Sequence, residues 1–369
     1  MHFGRKIFSG IKIPSYLPYI LCLFVLTRLA LETVGYTART LIWHRPVVTV
    51  SDFLNIWNVW DSSWYLEIAK TGYSTAVNYL GEANYAFFPL YPMLIKLASV
   101  NSHYLLSGLF ISNICLLIAC IYLYKFVALD SADETALRSI KYLFLFPTAF
   151  LFSAVLSESL FMALTIACLY YARRSKWPLA GTLGFLIALS RPPGVIIMLP
   201  LMYEYFRRSG FKIKRDACTL LLPVLGLSLY VAYNWHLTGD PLGFVHIMAT
   251  WGGQPTIPVT EIINRLTQQN EWIRFGALYT CTAIGLMVAF ARKVDFGAWL
   301  LGVMLIMIPL FTTQSGFSML RYIAVVFPLF IILAKLGEDR RTDLVLTISL
   351  AVTQIVFMVL WTTYSPLIV

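Results

Sequence analysis

Trp60-Asp61-Ser62-Ser63-Trp64-Tyr65 places one carboxylate among three large aromatics, in a polar segment between long apolar runs. An ionisable group held beside a bilayer is costly, so it reads as a functional site. Trp and Tyr settle at membrane interfaces and also offer flat faces to sugar rings. An interfacial loop with an aromatic belt and a solvated Asp is the plainer alternative. If residues 57–72 are helical, Trp57, Asp61, Trp64, Tyr65 and Ile68 share one face. A partly desolvated Asp61 would then suit a general base toward a hydroxyl. Asp52 is a nearby rival. Glu67 projects away from Asp61, so the spacing does not support a paired-carboxylate glycosidase.

The sharpest cations are Arg191, in Ser190-Arg191-Pro192-Pro193-Gly194, and Arg321, each at the mouth of an apolar helix. A guanidinium suits bidentate binding of phosphate or carboxylate. The prolines after Arg191 allow a helix to start there, and free N–H groups at a helix start favour anions. The alternative for Arg191 is a snorkelling side chain paired with headgroups or with Glu158. Glu158, between Ser157 and Ser159, has no cation within a helical turn and must find a partner in the fold or be neutral. Asp240 lies in the turn Thr238-Gly239-Asp240-Pro241; His236 and His246 flank it as polar loop residues rather than ligands. No Asp-x-Asp occurs, no cofactor is called for, and a divalent metal stays open.

These residues must be carried by membrane helices. Of 369 residues, 59% are hydrophobic and only 12% charged, where a soluble domain carries about 25%. Several stretches of about 20 residues lack charge, enough to cross a hydrocarbon core. They are continuously apolar, which predicts an all-α polytopic protein and not a β-barrel. No long polar stretch interrupts residues 1–369, which read as a single membrane domain. The six cysteines all fall in apolar runs without metal-ligand spacing and read as small core residues. A net charge of +10 marks cytoplasmic loops here and not a nucleic-acid partner.

Threading from a cytoplasmic start (Arg5, Lys6, Lys12), a retained first span from Tyr16 to Leu31 delivers an outer loop, residues 35–100. The run Met93–Val100, opened by Pro89 and Pro92, reads as a re-entrant or interfacial helix. Between Lys141 and Arg173 the only charge is Glu158, and between Lys176 and Glu204 it is Arg191; residues 142–172 and 178–206 read as hairpins of short helices with these charges at tips outside. Irregular backbone at such depth must be buried in protein or line a cavity. A second outer loop covers 237–274, the C terminus ends outside, and about eleven spans result. This threading keeps 19 of 28 Lys and Arg inside, which supports the orientation. It brings Asp61, Glu158, Arg191, Asp240 and Arg321 to one side.

In this order, the segments resemble the GPI mannosyltransferase 2 family (PIG-V-like proteins) and its bacterial relatives, within the GT-C membrane glycosyltransferases. The resemblance rests on Trp60-Asp61 with Ile68-Ala69-x-x-Gly72-Tyr73, Ala86-Phe87-Phe88-Pro89-Leu90-Tyr91-Pro92, and Phe146-Pro147 leading to Ser157-Glu158-Ser159-Leu160-Phe161. Arg191-x-x-Gly194, Thr238-Gly239-Asp240-Pro241 and Ser318-Met319-Leu320-Arg321-Tyr322 complete it. It implies an inverting transferase that moves a hexose, typically mannose, from a polyprenyl-phosphate carrier to a lipid or glycan acceptor on the non-cytoplasmic face. It also implies Asp61 as base on the acceptor hydroxyl, with Arg191 or Arg321 on the donor phosphate. Trp60, Trp64 and Tyr65 would shape the sugar site, and Glu158 and Asp240 would help form it. Short loops point to a bacterial plasma membrane; a eukaryotic member would sit in the endoplasmic reticulum membrane. The competing readings are a lipid-linked sugar flippase, weakened by the absence of an internal repeat, and a polysaccharide ligase, weakened by a 237–274 loop poor in Arg and His.

Overall fold

The computed structural model describes residues 14–45, 47–313 and 315–365; the basic Arg5, Lys6 and Lys12 and the C-terminal end lie outside these. Among the described residues the fold is all-helical, with a single isolated bridge between Pro255 and Thr312. Helix α1 (Tyr16–Leu41) opens the chain. The polar segment after it carries α2 (Val50–Leu54), α3 (Ser62–Thr71) and α4 (Leu90–Ala98). Helix α5 (Tyr104–Val127) is followed by α6 (Asp133–Leu145) and α7 (Glu158–Arg173), then α8 (Trp177–Ala188) and α9 (Met198–Ser209). Helix α10 (Leu222–Thr238) leads through the short α11 (Gly243–His246) and α12 (Pro258–Leu266) to α13 (Glu271–Ala289). Helices α14 (Phe296–Met307), α15 (Ser315–Ala324), α16 (Pro328–Leu336) and α17 (Arg340–Thr362) complete it.

Among the described residues five helical stretches are long and apolar enough to cross a membrane: α1, α5, Arg215–Thr238 (which ends in α10), α13 and α17. A sixth is added if Ser318–Ala324 and Pro328–Leu336, bent by 75°, form one span. The sequence reading of about eleven spans also counted the shorter pieces. Helices α6 to α9 run only 12 to 16 residues each, short of the roughly 20 a span needs. The expected breaks in 142–172 and 178–206 are present. Between α6 and α7 the chain runs irregularly from Phe146 to Ser157, wholly buried in protein. Between α8 and α9, Ser190 and Arg191 interrupt the helix and Pro192-Pro193 begin a tight turn of 3-10 helix. The predicted interfacial helix is α4, nine residues long and entered at Pro89.

Helix α7 is the hub, packed against α5 on one side and α8 on another, with α10 outside α8. Thirteen of its 16 residues are buried, which fixes both of its ends. Lipid offers little hydrophobic drive between helices, so close approach of small residues matters. At Gly194 an added Cβ would meet the Ile187 carbonyl oxygen at 2.1 Å. Gly194→Ala should therefore push the Arg191 turn off α8 and destabilise the protein by about 1–3 kcal/mol. A melting midpoint equal to that of wild type would refute this packing.

Connectivity sorts the charges by end. Asp61, Glu158 and Arg191 lie at the starts of α3, α7 and the turn before α9, whereas Arg173, Arg207, Arg208 and Lys335 lie in the last turns of α7, α9 and α16.

Candidate active site

Trp60 adopts left-handed backbone (φ 56°), rare for a bulky residue. It turns the chain sharply from a 3-10 turn at Asn55–Trp57 into α3. The helix therefore starts at Ser62 and not near residue 57, and Trp57 leaves the face expected for it. Asp61 is the N-cap of α3, yet its carboxylate makes no capping bond. It accepts from Arg321 Nη1 instead. Gly72 (φ 86°) ends α3, in a conformation that costs other residues strain.

Arg321 joins two carboxylates. Its Nε donates to Glu158 Oε1 while Nη1 holds Asp61. Arg191 Nη1 lies 2.9 Å from the same Glu158 oxygen. Four charges from three broken helical segments and the first polar loop thus form one chain: Asp61, Arg321, Glu158, Arg191. This is the partner Glu158 required, and it includes the Arg191–Glu158 pair that the plainer reading of Arg191 foresaw. Exposure separates the carboxylates, since the Glu158 side chain is 0% accessible and that of Asp61 28%. Glu158 is the inner carboxylate and Asp61 the one open to the surface. Among the described residues, Glu158 Oε2 is buried without a hydrogen bond, and so is Arg191 Nη1, whose close contact with Oε1 is not a hydrogen bond. Buried groups left in this state are expensive.

Aromatics frame the cluster. The Arg191 guanidinium lies over Tyr322 and Phe161, with centroids at 5.8 and 5.9 Å. The Tyr65 hydroxyl pairs with Ser157 Oγ at 2.9 Å, tying α3 to the turn before Glu158, and burial pushes its pKa up to about 12. Trp64 stacks on Phe87 at 5.8 Å, and Trp251 meets both edge-on. Trp60 leans edge-on toward Tyr364 at 6.0 Å. Beside α3, an apolar cavity of about 350 Å³ is lined by Ile68, Tyr73, Met93, Leu229 and Tyr230, with Lys96 among its walls.

Other expected residues fall elsewhere. Asp240 makes no contact with the charge cluster. It accepts from the Leu242 N–H at 2.9 Å and pairs with His246 Nδ1 at 2.6 Å, and these contacts, His246 first, hold its carboxyl below the usual range. The residue holds its own turn, which lies beside Tyr85 of the first polar loop. Asp52 is committed to the N-cap of α2 through Thr49. Glu67 accepts from Asn84 Nδ2 at 3.0 Å and braces the loop. Trp251, Phe87 and Tyr322 line the site without having been singled out. For Trp251 the available signal was a tryptophan before Gly252-Gly253 in a polar loop.

Residues 46–202 match the family model Mannosyltransferase (PIG-V), the family that the motifs resemble. The matched stretch holds Asp61, Glu158 and Arg191, and Arg321 follows it. No curated protein matches the chain.

Proposed function

We propose that this chain, similar to a mannosyltransferase family over residues 46–202, is an inverting glycosyltransferase of the GT-C kind. It moves mannose from a polyprenyl-phosphate carrier to a lipid or glycan acceptor at the non-cytoplasmic face of the membrane. The family match supports glycosyltransferase activity, and the observation that carries the finer reading is the Asp61–Arg321–Glu158–Arg191 chain of charges.

The reaction fits these residues in the following way. Asp61 takes the proton of the acceptor hydroxyl as that oxygen attacks the anomeric carbon from the face opposite the phosphate. The bond from that carbon to the phosphate oxygen breaks, and its electron pair leaves with the lipid phosphate. Arg191 and Arg321 hold this oxyanion, with Glu158 behind them as fixed counter-ion. Phosphate is a competent leaving group, so no general acid is needed. The wall of Trp64, Phe87 and Trp251 offers flat faces to a sugar ring. The apolar cavity beside α3 suits part of an isoprenoid chain.

The direct test supplies radiolabelled polyprenyl-phosphate mannose to membranes that contain or lack the protein. Label should move to a lipid or glycan acceptor only when the protein is present. No transfer from mannose, glucose or galactose donors, with folded protein and native acceptors, would shift the assignment to a lipid-linked sugar flippase. Arg191→Ala should raise the donor KM at least tenfold and leave the acceptor KM within about twofold, because a charge-assisted contact to phosphate is lost. An unchanged donor KM would remove Arg191 from the phosphate site.

A further inference from the structure

A second charged site lies at the other end of the bundle. Helix α7 runs from Glu158 to Arg173, so the two ends stand roughly 22 Å apart along its axis. At the Arg173 end three carboxylates and three guanidiniums compensate one another. Arg173 pairs with Asp130 and approaches Asp295 at 3.7 Å, while Arg207 and Arg208 hold the fully buried Glu204 at 2.9 and 3.0 Å. Next to this balanced group, and sharing Asp130 and Asp295 with it, is a cavity of about 260 Å³, walled by Phe126, Val127 and Ile331 and edged by Arg292, Lys293 and Lys335. Among the described residues none of these last three cations has a carboxylate within 4.0 Å, and the other residues contain no Asp or Glu. Lys335 Nζ donates to the Lys293 carbonyl at 2.5 Å, which ties the end of α16 to the turn before α14. The cavity therefore has apolar walls, a rim with three cations that no salt bridge engages, two carboxylates already paired with Arg173, and a place beside the ends of α5 and α13, both long enough to span a membrane.

We infer that this pocket binds the phosphate headgroup of an anionic phospholipid, with Arg292, Lys293 and Lys335 around the phosphate and Phe126, Val127 and Ile331 against the glycerol and upper acyl chain. Basic pockets between membrane helices on the cytoplasmic side recognise such headgroups, with gains of about 1 kcal/mol per cation. The volume suits a headgroup rather than a larger soluble ligand. The site is independent of the sugar-transfer reading, since it needs no donor.

The test uses the purified full chain in phosphatidylcholine nanodiscs containing phosphatidylglycerol, with retained lipid read by native mass spectrometry. Wild type should keep phosphatidylglycerol in preference to phosphatidylcholine, and Arg292→Gln/Lys293→Gln should lower that preference roughly tenfold or more. Lys212→Gln/Lys214→Gln removes equal charge from exposed positions at the same end and should keep the preference. Equal losses in both double variants, or none in the first, would overturn the pocket. Should the first variant not fold, Ser131→Glu adds a carboxylate to the lining and should lower the preference in the same sense; no change there would also overturn it. Inorganic phosphate at millimolar concentration should fail to displace the lipid. Displacement would make the pocket a site for a soluble anion and refute the lipid assignment.

Discussion

Asp61→Asn is expected to insert and melt like wild type while transferring sugar at least about 10²-fold more slowly, the ordinary worth of a general base. Stability is spared because Arg321, the partner of Asp61, still has Glu158 as counter-ion. The amide keeps the shape of the carboxylate but cannot take the acceptor's proton. The defect should therefore fall on kcat, with donor KM little changed, in the radiolabel assay. Asp61→Glu, which restores a base at a displaced position, should recover part of the rate. Normal turnover by Asp61→Asn would move the base elsewhere, and Asp52 and Glu67 are poor substitutes because each is occupied in holding its own loop.

Glu158→Gln should give the opposite signature, a protein that fails by unfolding. Two buried guanidiniums share one oxygen of this carboxylate. Removing the charge leaves Arg191 uncompensated in a site where it is 6% exposed, and Arg321 dependent on Asp61 alone. Breaking a buried pair in this way costs about 3–5 kcal/mol. Unfolding in a graded denaturing detergent would measure it. Glu158→Gln/Arg191→Gln removes one charge of each sign, so it should regain more than half of the lost stability while remaining inactive. If Glu158→Gln unfolds at the same denaturant as wild type, the carboxylate does not hold the two arginines.

Much of this site was legible in the sequence because a charge inside an apolar run has few explanations. Glu158, Arg191 and Arg321 stood out by isolation, and the structure joins them through contacts that link positions 163 and 260 residues apart to Arg321. The broken helices were legible for a related reason, since 31 residues between Lys141 and Arg173 suit neither one span nor two. The span count was not legible, because breaks at Pro147, Pro192 and Pro328 shorten helices without changing their hydropathy. The start of α3 was missed because a left-handed tryptophan carries no compositional mark. Asp240 stays apart from the chain of charges, in a Gly-Asp-Pro turn that holds itself together. Trp251 was hidden among aromatics that make up 15% of the chain.

The spacing of the four charges along the chain also sets a timetable. Glu158 and Arg191 are 33 residues apart and both precede residue 202, so they can neutralise each other as soon as α7 and α8 pack. Arg321 is made last, and a ribosome adding about 5–20 residues per second needs many seconds to travel from position 61 to it. For that interval Asp61 has no guanidinium to hold it, and the polar segment around it waits for a helix not yet translated. The site is thus closed from the C-terminal side, and a nascent chain halted before α15 would have its aromatic wall and its inner pair but no clasp between them.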